Sequence, residues 1–140
     1  MDATAARRGL AEARVARLAT VDLKGRPHVV PITFAFDHDT IYFAVDQKPK
    51  RTTDLQRLRN IAANPAVSVL VDRYDEDWNR LWWVRADGTA KVLDQRDAPP
   101  AIDLLVDRYE QYHRARPSGP VVAISIERIT GWSAAGNPGG

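Results

Sequence analysis

Cysteine is absent from the 140 residues, which excludes disulfides, thiolate metal sites and a cysteine nucleophile. No apolar run approaches the ~20 residues that span a bilayer, so no membrane partner is expected. Charge of one sign is not in excess either. The 20 Lys and Arg are spread along the chain against 18 Asp and Glu, for a net charge of +2. A pI of about 9.1 therefore comes without a polybasic tail, and nucleic acid is not an expected partner. The passage from Val45 to Ile61 holds no glycine, so neither a P-loop nor a dinucleotide fingerprint is present. The opening MDATAARRGLAEARVA lacks a long apolar core and a cleavage pattern, which predicts a mature cytoplasmic protein.

What is there suits one globular domain over residues 1–140. Hydrophobic residues make up 44% and charged residues 27%. Ala3 to Arg17 reads as a helix rich in Ala, Leu, Glu and Arg, forming an N-terminal helical segment over 1–16. Arg17 to Val21 reads as a strand, and Gly25 sits in the turn that follows. Pro27 to Phe36 is the richest β stretch, with Pro31 marking an edge, a bulge or a break. Thr40 to Val45 returns as a strand. Val67, Val69 and Val71 alternate along a half-buried strand, and Leu81 to Leu93 is a long one bent or bulged at Asp87-Gly88. Asp97 to Arg116 reads helical, Val121 to Ile126 is a last strand, and residues 131–140 form a flexible tail. The expected fold is mainly β: a six-stranded antiparallel barrel with peripheral helices.

Asp46 to Pro65 gathers Lys48, Lys50 and Arg51, then the hydroxyls Thr52 and Thr53 at the start of a helix. Leu55, Leu58, Ile61 and Ala62 recur at helical spacing, and Asn64-Pro65 ends it. Cations, hydroxyls and unpaired N–H groups at a helix start are the ingredients of a phosphate site. A basic loop leading into a solvated helix is the plainer reading. His28, His38 and His113 share no metal-ligand spacing. The acidic run Asp72, Asp75, Glu76, Asp77 lacks the spacing of a calcium loop and reads as a solvated turn. No serine sits in a nucleophile elbow, and Tyr74 and Tyr109 read as packing residues. No catalytic acid or base stands out, which suits chemistry carried by a cofactor.

Three patches resemble the flavin- and deazaflavin-binding split β-barrel family of pyridoxine 5'-phosphate oxidase, most of all its small actinobacterial F420-dependent members. They are Arg17-Leu-Ala-Thr-Val with Gly25-Arg-Pro-His-Val-Val-Pro-Ile-Thr-Phe; Ile41-Tyr-Phe-Ala-Val-Asp through Lys48-Pro-Lys-Arg to Asn64-Pro-Ala-Val-Ser-Val-Leu-Val; and Trp83-Val-Arg-Ala-Asp-Gly-Thr-Ala-Lys-Val-Leu. The resemblance implies a split barrel and a homodimer with cofactor sites at the interface. It implies hydride transfer from reduced F420 to an electron-poor, hydrophobic small molecule. FMN is the alternative cofactor, and a non-catalytic F420 or haem carrier the alternative role, with His28 and His113 as axial candidates. The backbone of Val29, Val30, Pro31, Ile32 and Thr33 would lie along the tricyclic ring, with Val45 and Asp46 closing over it. Lys48, Lys50, Arg51 and Thr52 would take phosphate. The segment from Val45 to Asn64 is longer than in the oxidases, which leaves Arg57 or Arg59 as alternative phosphate ligands. Trp82, Trp83 and His28 would line the substrate pocket; alternatively the two tryptophans alternate, one in the core and one at a dimer interface. Trp82-Trp83 stands where the oxidases carry Arg-Gln, and the C-terminal Arg-Leu-x-Arg segment is missing, so vitamin B6 oxidation is not expected.

Overall fold

The structure, a computed structural model, describes residues 1–45 and 52–136, with side chains at 52–55 left aside. Helix α1 (Ala3–Glu12) starts where the Asp2 carboxylate accepts the Ala5 N–H at 2.8 Å, a side-chain cap. Strands β1 (Ala16–Val21) and β2 (Pro27–Ile32) form a hairpin. Its turn is fixed by Asp22, whose carboxylate accepts the N–H groups of Lys24 and Arg26, and by Gly25 at φ +79°. Strand β3 (Ala35–Asp37) pairs with β4 (Thr40–Ala44) around a turn in which His38 takes φ +55°. Then come α2 (Thr52–Ala63), β5 (Ala66–Arg73), β6 (Trp82–Val92), α3 (Ala98–Arg108), α4 (Glu110–Arg114) and β7 (Val121–Ser133). No helix among the described residues is long and apolar enough to cross a membrane.

All seven strands join one antiparallel sheet in the order β2-β1-β5-β6-β7-β4-β3. The two edge strands β2 and β3 are joined by only Thr33 and Phe34, so the sheet must curl until its edges meet. That makes a split barrel, with seven strands instead of the six read from sequence. The extra one arises because the long β stretch breaks at Thr33-Phe34 and its halves serve opposite edges. Tyr109 holds the break: its phenol lies 3.1 Å from the Phe34 N–H it accepts, 3.0 Å from the Phe34 carbonyl and 2.8 Å from the Arg14 carbonyl. To reach there the chain leaves helical geometry at Tyr109, which divides the expected single helix into α3 and α4.

Alternate residues of each strand fill the barrel, Leu18, Ile41, Phe43, Val69, Val71, Val84 and Ile124 among them, all fully buried. Burial of each such side chain stabilises by about 1.5–3 kcal/mol. The last strand runs to Ser133, past the expected end at Ile126. Its register with β6 shifts at Asp87/Gly88: Gly88 faces Ile126 but Asp87 faces Arg128, which makes Glu127 the extra residue of a bulge. The outer face of the sheet divides in two. Helix α3 covers β4 and the first half of β7, packing Ala101 and Ile102 on Val121. Among the described residues, no helix covers the outer face of β1, β2, β5 and the second half of β7.

Candidate functional site

On the uncovered half lies a groove of about 470 Å³ lined by Arg17, Ala19, Val29, Ser68, Leu70, Asp72, Trp83 and Arg85. Strand alternation gathers these side chains. Register pairs Ala19 with Val29 and Ser68, Arg17 with Leu70, Leu70 with Arg85 and Trp83 with Asp72. The Ser68 hydroxyl donates to Asp87 at 2.6 Å, and Arg85 Nε donates to the same carboxylate at 3.1 Å. The Arg85 guanidinium also lies 6.0 Å from the Trp83 ring centre. The polar side of the groove is thus held in fixed geometry beside an apolar floor.

The edge of β2 borders this groove. The Asp22 N–H donates to the Arg26 carbonyl, which sets the parity of the hairpin: His28, Val30 and Ile32 exchange bonds with β1, while Pro27, Val29 and Pro31 turn their main-chain groups away. The two prolines fit there because their missing N–H would have faced outward. Three carbonyls and a single N–H, that of Val29, line this free edge. Of the five positions expected along a tricyclic ring, four are in β2: Val29 and Pro31 turn main-chain groups to the outer edge, whereas Val30 and Ile32 use theirs within the sheet. The Ile32 side chain is in the core, and the Thr33 hydroxyl bonds Tyr112 at 2.8 Å. Val45 is buried, its N–H donated to the Pro120 carbonyl at 2.8 Å.

Behind β2 a small cavity of about 60 Å³ is lined by Thr20, His28, Val30, Gln56, Arg57 and Asn60. Asn60 is 2% exposed and satisfied on both sides: Gln56 Nε2 donates to its Oδ1 at 2.7 Å, and its Nδ2 donates to Thr20 Oγ1 at 3.1 Å. The chain of amides ties α2 to β1. His28 Nε2 lies 3.6 Å from Asp22 Oδ2. The Arg26 N–H holds the Asp22 carboxyl below the ordinary carboxylate range; burial opposes this, and the Lys24 N–H and His28 add to the lowering. Arg57 turns inward, its guanidinium 5.7 Å from the Phe43 ring centre. Arg59 turns outward, into a separate cleft beside Lys24 and Arg26.

The expected site residues are thus distributed. Val29 and Trp83 share the groove, and His28, Val30 and Arg57 share the small cavity. Trp82 is apart from both, facing inward against Gly9, where a Cβ would lie 3.0 Å from its ring. Strand alternation, which sends neighbours to opposite faces, separates it from Trp83, as in the alternative reading of the pair. Asp46, Lys48, Lys50 and Arg51 lie outside the described residues, and Thr52 opens α2. Arg17, Arg85 and Asp87 were not singled out from sequence, although Arg85 and Asp87, two apart on a strand, share a face. Asn60 was also missed, and its i+4 relation to Gln56 was the available signal.

Comparison with known proteins covers nearly the whole chain. The family model described as pyridoxamine 5'-phosphate oxidase matches residues 3–133. No curated protein matches. A conserved hypothetical protein of Mycobacterium tuberculosis is 19% identical, with TM-score 0.78, over 96% of this chain and 86% of that one. An FAD-binding protein of Mesorhizobium loti is 23% identical, with TM-score 0.72, over 94% of both chains. A haem storage protein of Vibrio cholerae is 16% identical, with TM-score 0.69, over 94% and 93%. At these identities the likeness is one of fold.

Proposed function

The chain belongs to the pyridoxamine 5'-phosphate oxidase family, and from that premise we propose that it is an F420H2-dependent oxidoreductase acting on a hydrophobic, electron-poor small molecule. The observation that carries the reading is the free edge of β2 beside an apolar groove. The Val29 N–H and the flanking carbonyls match the alternating acceptors and donors at the edge of a flavin or deazaflavin ring. When bound, the cofactor supplies the hydride. The protein holds the ring edge with main-chain groups of Val29 and Pro31, and phosphate with Lys48, Lys50, Arg51 and Thr52. Trp83 offers an apolar wall to a flat acceptor, with His28 behind the strand. Arg57 turns inward and Arg59 outward, so one phosphate would not be shared between the two.

FMN is the second reading, favoured by the likeness to an FAD-binding protein; a haem carrier is a third, suggested by the haem storage protein. Titration of purified protein with F420, FMN and haemin separates them. Preference for F420 with hydride transfer to quinones or unsaturated lactones supports the proposal. Preference for FMN keeps the site and changes the donor. A Soret band with haemin, and no binding of the other two, overturns it.

The same reading includes a homodimer. Val29 is 63%, Leu70 36% and Trp132 45% exposed, and Trp132 pairs in register with Trp83, so four large apolar side chains share the uncovered face. Arg17 and Arg85 stand there with Asp72, a mixed-sign pattern that can complement itself about a two-fold axis. Sedimentation should give a dimer that Trp83→Arg converts to a folded monomer. A wild-type monomer at micromolar concentration would remove this part.

A further inference from the structure

A separate cavity lies on the other half of the outer face, under α3, and takes no part in the cofactor reading. It measures about 540 Å³, the size of a small-ligand pocket. Register lays its floor in two rows across β4, β7 and β6: Thr40, Ser125 and Thr89, then Tyr42, Ala123 and Lys91. Three hydroxyls therefore stand one strand spacing apart, about 4.8 Å, on a rigid surface. Thr89 donates to Glu127, the bulged residue. Among the described residues, the hydroxyls of Thr40, Ser125 and Tyr42 and the Lys91 ammonium have no hydrogen-bond or ion-pair partner. Ala101 and Leu104 of α3 make an apolar wall. Asp37 and Asp97 mark the two ends; Asp97 sits at the N-cap of α3 yet makes no capping bond, so its carboxylate is available.

Charge selects the ligand class. An anion would meet Lys91 but also two carboxylates, and a cation would meet Asp37 and Asp97 but also Lys91. A purely apolar ligand would bury hydroxyls and charges without partners, at a cost of about 1–3 kcal/mol for each group. A neutral polyhydroxylated ring avoids all three penalties. Its hydroxyls both donate to the carboxylates and accept from Lys91 and the hydroxyl row, while its C–H face packs on Ala101 and Leu104. We propose that this cavity is a second binding site, for a sugar or cyclic polyol, separate from the cofactor groove.

The test is amide-resolved NMR titration of the intact protein with methyl β-glucoside and with myo-inositol, and in parallel with alanine and inorganic phosphate. Saturable shifts at residues 40–42, 89–91 and 123–125 with a neutral probe, leaving Val29 and Trp83 unmoved, are expected. Ser125→Ala should weaken that binding about five-fold, the loss of one neutral hydrogen bond, and Asp97→Asn about ten-fold or more, the loss of one bond to a charged group. Asp97→Asn makes no folded-state bond to lose, so it serves if Ser125→Ala fails to fold. No saturable shift with either neutral probe, or stronger binding of alanine or phosphate at the same amides, overturns the assignment. Because neither F420 nor FMN enters the titration, failure here is independent of the cofactor reading.

Discussion

Replacing Gly88 by alanine tests the packing of β6 on β7 directly. A Cβ at Gly88 would stand 2.2 Å from the Ser125 carbonyl oxygen, 3.0 Å from its carbon and 3.2 Å from Ile124 Cγ2. Carbon approaches a carbonyl oxygen to about 3.3 Å, so the strands must part by roughly 1 Å at this point. The obstructing atoms are sheet backbone, which cannot swing aside as a side-chain end would. Overpacking of this kind costs about 1–3 kcal/mol, and a ladder hydrogen bond stretched beyond use adds about 1 kcal/mol, so Gly88→Ala should cost about 3 kcal/mol. For 140 residues that lowers the melting temperature by about 10 °C, read by circular dichroism. The backbone at Gly88 is not in the left-handed region, whereas Gly25 has φ +79° and nothing within 4 Å of a built Cβ. Gly25→Ala therefore isolates the conformational penalty, about 1 kcal/mol. A Gly88→Ala protein that melts no lower than Gly25→Ala would refute the contact argument.

Tyr109→Phe removes the phenol that serves Phe34 N–H and C=O, and should cost about 1–3 kcal/mol of unfolding free energy in urea, without altering far-ultraviolet dichroism. Because the Asp22 carboxyl titrates lower in the folded chain, it contributes stability above its unfolded pKa and loses it as pH falls. Asp22→Asn should therefore flatten the stability profile below about pH 4, and an unchanged acid limb would contradict the turn geometry. If both cations touch phosphate, Lys50→Ala with Arg51→Ala should weaken cofactor binding by several kcal/mol, at about 1.5–3 kcal/mol for each charged bond, measured by fluorescence titration. Unaltered affinity would move the phosphate to Arg57 or Arg59.

Most of the strands were legible because their burial alternates strictly. Val67, Val69 and Val71 in β5 face the core, and Val84, Ala86 and Ala90 in β6 do the same. The end of β7 was not legible for a physical reason. The bulge at Glu127 shifts the inward positions from Ile124 and Ile126 to Ile129 and Gly131, so a search at period two loses the strand after Ile126. Thr33-Phe34 carries no local break signal either. Its two residues would suit a continuing strand, and the interruption is imposed from 75 residues away by the Tyr109 phenol. One long-range hydrogen-bond donor and acceptor thus accounts for both misread boundaries, the strand that split and the helix that split.

The candidate site was harder to read because the contacts proposed for it depend on main-chain parity. Pro27 and Pro31, four apart in one strand, must turn the same edge outward, and Val29 between them shares that edge. The sequence therefore held the position of the N–H that β2 turns to its outer edge, but only once the hairpin turn at Asp22 to Arg26 was known to exchange a bond. Trp82 and Trp83 illustrate the complementary limit. Alternation says that one faces inward, yet which one depends on register with β5, where Asp72 opposite Trp83 lies outside and Val71 opposite Val84 lies inside. Once that register is fixed, the outer face separates into a half covered by α3 and a half covered by no helix. If the proposed homodimer forms on the second half, a ligand there would lie beside the second copy, whereas a ligand on the first half would not. On those two proposals, dilution below the dimer dissociation constant should weaken cofactor binding and leave polyol binding unchanged.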